Sequence, residues 1–65
     1  MRPVVEGYLE RLIRRALNEA RAAGLDQPGQ SWQAMREVRR VRPDLSETDA
    51  QAAVDEVLWE RSRGA

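Results

Sequence analysis

The apolar residues of the N-terminal third form the most constraining pattern in this chain of 65 residues. They recur at steps of three and four residues, which places them on one face of an α-helix: Val5, Leu9, Leu12, Ile13, Ala16, Leu17 and Ala20. The pattern predicts a first helix over residues 3–23, about 30 Å long at 1.5 Å per residue. Gly24 is expected to end it in the left-handed conformation that caps a helix C-terminus.

A second helix is predicted over residues 31–42. Ser31 is expected as its N-cap, and Pro43 ends it because the residue before a proline avoids the helical conformation. Upstream, the run Gln27-Pro28-Gly29-Gln30 is typical of a type II turn. Since this helix is only about half as long as the first, we expect part of the first helix's apolar face to stay uncovered.

A third helix is predicted over residues 46–63. Ser46 is expected as the N-cap, and Asp49 takes the third helical position of a capping box. The chain is therefore predicted to be one all-α domain over residues 1–65, a small three-helix bundle with an up-down-up course. We expect Trp32 in its core, together with the apolar residues shared by the three helices: Leu12, Ile13, Leu17, Val38, Val54 and Leu58.

The composition argues against an enzyme. With neither cysteine nor histidine, the chain offers no disulfide, no thiolate or imidazole metal ligand and no usual nucleophile–base pair. Its four glycines are scattered and form no phosphate-binding loop, so no cofactor is expected. No apolar run approaches the roughly 18 residues of a membrane span, and the N-terminus lacks the apolar run of a secretory signal. A cytoplasmic protein is the expectation.

All eleven basic residues are arginines, and their distribution is uneven. Residues 1–42 hold nine arginines and five acids, a net charge of +4, whereas residues 43–65 sum to −4. Four arginines crowd the second helix: Arg36, Arg39, Arg40 and Arg42. They can pair with acids of the third helix, keep the surface solvated, or contact an anion or nucleic acid.

The nucleic-acid interpretation draws on topology as well as charge. A helix, a short turn and a helix over residues 31–63 are similar in outline to DNA-binding helix-turn-helix units. The third helix would then be the recognition helix, yet its exposed side carries acids that phosphates repel. The second helix would therefore have to dock, with help from the arginines of the first.

An uncovered apolar strip at the N-terminal end of the first helix is the predicted protein interface. It comprises Val5, Tyr8 and Leu9. Trp59 lies about 100° outside the apolar stripe of the third helix, so it either packs against the chain end or serves as a second anchor of the interface. The leading functional hypothesis is a small non-enzymatic interaction module: a homodimer, an adaptor or an inhibitor of a larger protein. The alternative is a nucleic-acid-binding module that uses the arginines of the first two helices.

Overall fold

The computed structural model describes residues 7–64, which form three helices. Helix α1 spans Gly7–Ala22, α2 spans Gln27–Val41 and α3 spans Glu47–Gly64. No strand occurs in these residues, so the predicted all-α three-helix bundle is confirmed. The predicted start of the first helix, at Pro3, lies outside the described residues.

Helix α1 ends at a glycine cap, as predicted. Gly24 has a φ of 88°, in the left-handed region that L-residues with a side chain rarely adopt. The N–H of Gly24 donates to the carbonyl of Arg21, and the N–H of Leu25 donates to that of Ala20, both at 3.0 Å. These two bonds are the pair that defines a Schellman motif, so they satisfy carbonyls that the helix end would leave unpaired.

Helix α2 begins at Gln27, four residues before the predicted start. Asp26 has an extended backbone and is the true N-cap, because its Oδ1 accepts the N–H of Gly29 at 3.0 Å. Pro28 lies in the first turn, where its missing N–H is not needed. The predicted type II turn is therefore wrong, and Ser31 lies inside the helix rather than capping it.

The start of α3 matches its prediction. The Oγ of Ser46 accepts the N–H of Asp49 at 3.0 Å, which is the N-cap bond expected from the sequence. Upstream, α2 ends at Val41, before Pro43, as the proline predicts. Acidic residues lie in the first turn of α3 and arginines in its last turn, so both ends complement the helix dipole.

The core lies where the three helices meet. It is built from small and branched side chains that repeat at helical spacing: Leu9, Ile13, Ala16, Leu17, Ala34, Val38, Ala50, Ala53, Val54 and Val57. Of the six residues predicted for the core, Leu12 and Leu58 are partly buried and pack against it, and the other four are buried. No polar or charged residue is buried in the part of the chain that the structure describes.

The most extensive packing in the core joins two helices of nearly equal length. Helix α1 has 16 residues and packs mainly against α2, which has 15 because it starts at Gln27. Leu9, at the other end of α1, is 5% exposed and belongs to the same buried cluster as Val38 of α2 and Ala50 of α3, so the prediction that it lies uncovered is wrong. The length difference that suggested a second copy of the chain is absent from the described residues.

The helices follow the predicted up-down-up course. The C-terminal ends of α1 and α3 meet beside the start of α2, where residues from all three line a shallow depression: Arg21, Gln27, Gln30, Leu58, Arg61 and Ser62. Among residues 7–64, no helix combines the length and the apolar composition that crossing a membrane requires.

Candidate functional site

Helix α2 has a second, largely exposed face beside the buried face that carries Ala34 and Val38. Five of its residues recur at steps of one, three and four positions: Pro28, Trp32, Met35, Arg36 and Arg39. At 100° per residue they form one strip, and Trp32 lies about 160° around the axis from the buried Ala34. This strip is mostly exposed, and it is apolar at one end and cationic at the other.

A groove of about 770 Å³ runs between this strip and α3. Ser31 completes the α2 wall, Pro43 lies at the end near the connection, and Glu47 and Gln51 form the α3 wall. We call this feature the α2–α3 groove. Its volume is more than three times that of the depression at the end of the bundle, which is about 230 Å³.

Trp32 stands on the wall of the groove and is 61% exposed, so the prediction that it lies in the core is wrong. The reason is the start of α2. A helix that began after Ser31 would place Trp32 in its first turn, free to fold back onto α1, whereas the observed helix fixes its direction away from Ala34. The guanidinium of Arg36, one turn on, lies 5.4 Å from the ring centroid in a cation–π contact.

The four arginines predicted as a cluster separate into two pairs. Arg40 forms an ion pair with Glu37 at 2.9 Å, and Arg42 donates to both carboxylate oxygens of Asp44 at 3.0 and 2.9 Å. Arg36 and Arg39 line the groove instead, and neither forms an ion pair with any carboxylate of residues 7–64. Of these four arginines, the two inside the groove are therefore the ones without an ion pair among the described residues.

The Arg42–Asp44 pair lies next to Pro43, beside one end of the groove. The hydrogen bond from the Arg42 side chain holds the pKa of the Asp44 carboxyl below its ordinary value, and the positive charge of Arg42 acts in the same direction. Asp44 therefore stays ionised near neutral pH, and its charge offsets that of Arg42 rather than adding to the groove.

The α3 wall is polar and partly fixed. The side-chain amide of Gln51 donates to Oδ1 of Asp55 at 2.8 Å and lies 3.5 Å from Oγ of Ser31, a contact that links α3 to α2. Glu47 adds a carboxylate to this wall. The groove thus carries its positive charges on α2 and a negative charge on α3, with apolar surface between them.

The residues predicted for a protein interface differ in their exposure. Tyr8 is 56% exposed and Trp59 is 53% exposed, but neither lines the α2–α3 groove. Leu9 is in the core, and Val5 lies outside the described residues. The guanidinium carbon of Arg63 lies 5.9 Å from the centroid of the Trp59 ring, so α2 and α3 each carry a tryptophan followed four residues later by an arginine in a cation–π contact.

The sequence signal for the groove was present but depended on the start of α2. Once the helix is extended back to Gln27, residues 28, 32, 35, 36 and 39 form a second stripe at helical spacing. No cluster of three or more potential metal ligands occurs in the described part of the chain. Comparison with models of known protein families, with curated proteins and with solved structures finds no match.

Proposed function

We propose that this protein is a small non-enzymatic protein-interaction module whose binding surface is the α2–α3 groove. The observation that carries the proposal is the position of Trp32, which stands largely exposed on the groove wall of a domain whose core is otherwise closed. Tryptophan and arginine are the residue types most enriched among interface hot spots, and both are present here side by side.

The energy available from Trp32 is large enough to matter for binding. An aromatic side chain of this size buries up to about 250 Å², and roughly three fifths of that area is free here. At about 25 cal/mol per Å², covering it would contribute on the order of 3 kcal/mol. That magnitude is typical of a hot spot and exceeds what an exposed ion pair supplies.

The proposal moves the interface away from the end of α1. Of the residues that the sequence predicts for the interface, Tyr8 and Trp59 are exposed and are open to a second contact, whereas Leu9 is buried in the core. Among the three forms of interaction considered, the groove favours an adaptor or inhibitor that receives part of another protein. A cytoplasmic location belongs to the same proposal.

Nucleic-acid binding is the second candidate, and one observation favours it. Trp32 offers a ring on which a base can stack, and Arg36 and Arg39 stand beside it without ion pairs among the described residues. Glu47 on the facing wall would repel phosphates, and two cations would release few counterions. The protein-interaction proposal therefore has the stronger support.

Affinity capture from an extract of the cells that make this protein tests both candidate functions, protein interaction and nucleic-acid binding. Immobilised wild type is compared with Trp32→Ala and with the matched control Trp59→Ala, after circular dichroism shows that all three have the same helix content. We expect a set of proteins that wild type and Trp59→Ala retain and that Trp32→Ala loses.

Equal retention by all three proteins, or loss only with Trp59→Ala, would contradict the proposal. Nuclease treatment of the extract separates the second candidate. If capture disappears with nuclease, nucleic acid is the ligand of the groove.

A further inference from the structure

We propose that the α2–α3 groove binds an acidic amphipathic helix of a partner protein. This inference rests on the proposed function and adds to it the chemical class and the conformation of the partner. The shape of the groove, its apolar surface and the positions of its charges each favour an acidic amphipathic helix as the partner.

The shape favours a helix over an extended strand. Both walls are α-helices whose interior N–H and C=O groups are bonded within the helix, so the groove offers no backbone edge to which a strand could pair. From Pro28 to Arg39 the α2 wall extends about 17 Å, which matches three turns of a helix. A helix laid along this wall would complete a local bundle with α2 and α3.

The apolar surface suits a row of aliphatic or aromatic anchors. Trp32 and Met35 lie on the α2 wall, and Pro28 and Pro43 lie towards the two ends. Methionine is flexible and polarisable, so Met35 can adapt to side chains of different shape. Anchors at steps of three and four residues on one face of a partner helix would meet this surface.

The two arginines of the groove favour a partner helix that carries Asp or Glu along one edge of its apolar face. Arg36 and Arg39 are three positions apart, so they follow one another along the same side of α2 and both line the groove. The Arg36 guanidinium lies 5.4 Å from the centroid of the Trp32 ring and forms no ion pair among the described residues, so its N–H groups can donate to a carboxylate of the partner. Asp or Glu side chains spaced three or four residues apart on the partner can reach both guanidinium groups.

A second copy of this chain is a poorer fit than a foreign helix. The acidic helix of the chain is α3, and its apolar residues Ala53, Val54 and Val57 are already buried in its own core. An intact copy can therefore present the acidic side of α3 with Trp59 as its one large exposed apolar residue, but not a row of apolar anchors at helical spacing. Glu47 on the α3 wall separates the two anionic ligands: a helix can carry its acids on the α2 side alone, whereas a nucleic acid carries a phosphate at every nucleotide and meets that carboxylate.

The test is selection from a random-peptide phage display library on the immobilised full chain, with counter-selection on Trp32→Ala. We expect the enriched peptides to carry apolar residues at helical spacing with Asp or Glu on the flank. The best peptide, synthesised with a fluorescent label, should lose affinity at least about tenfold on reversal of both charges, Arg36→Glu with Arg39→Glu. Trp59→Ala should leave its affinity unchanged.

Enriched peptides that are basic or lack a helical period would overturn the inference, as would equal affinity for the double charge reversal when circular dichroism shows that its fold is intact. Tighter binding of a labelled single-stranded oligonucleotide, or a dimer in sedimentation that Trp32→Ala dissociates, would also overturn it. If these results appear while extract capture still depends on Trp32, only the acidic helix is rejected. If capture fails as well, the proposed function falls with it.

Discussion

At the level of single residues, the arginines of α2 differ in what they contact rather than in type. Arg40 and Arg42 are paired with carboxylates nearby in sequence, whereas Arg36 and Arg39 line the groove. An exposed ion pair contributes little to stability, so the first two mainly neutralise charge. The last two are the cations that a ligand can meet.

The Arg42–Asp44 pair predicts a measurable titration. Because the folded pKa of Asp44 lies below that of the unfolded chain, the pair adds stability at a pH above the unfolded pKa and loses it as the pH falls through the folded one. We expect Arg42→Gln to raise the pKa of Asp44, which an NMR pH titration of the Asp44 carboxyl group measures. Arg39→Gln is the control and should leave the Asp44 pKa unchanged. An Asp44 pKa that Arg42→Gln does not raise would show that the pair does not form in solution.

At the level of helices, the cap residues show which boundaries a sequence can predict. The neighbours of Gly24 are compatible only with a C-terminal cap and those of Ser46 only with an N-cap. Both predicted caps are confirmed. The run at Pro28 fits two structures, because proline and glycine suit a type II turn and also the first turn of a helix. Asp26 decides between them by capping the N–H of Gly29, a contact that a turn over residues 27–30 does not need.

The observed start of α2 predicts an order for two cap substitutions. Asp26→Ala should destabilise the fold by about 1 kcal/mol, because it leaves an N-terminal N–H of α2 without its partner. Ser31→Ala removes only the 3.5 Å contact with the side-chain amide of Gln51 on α3, so it should destabilise the fold by no more than a few tenths of a kcal/mol, about a third of the Asp26→Ala loss. Urea denaturation gives both free energies of unfolding, and a larger loss for Ser31→Ala would place the helix start where the sequence first suggested.

At the level of the whole molecule, the fold followed from the sequence more fully than the site did. Apolar spacing predicts three helices and most of the core, because a side chain's direction on a helix depends only on its position within that helix. The site depends on which helix faces are left over, so the misplaced start of α2 moved Trp32 into the predicted core. Leu9 was predicted to be uncovered for a different reason: the small residues Ala50 and Ala53 of α3 were expected to cover little area, yet they share its buried cluster. Arg36 and Arg39 were predicted as ligand contacts, whereas Met35 and the two prolines beside them were not.

The central claim is that Trp32, rather than Trp59 or Tyr8, marks the binding surface, and the two tryptophans allow a direct comparison in one molecule. NMR of the isotopically labelled protein, titrated with the partner or peptide selected on it, follows both indole N–H signals at once. We predict that the Trp32 signal and the amides of residues 28–39 shift, while the Trp59 signal stays in place. Shifts at Trp59 and around Tyr8, with Trp32 unmoved, would contradict the account.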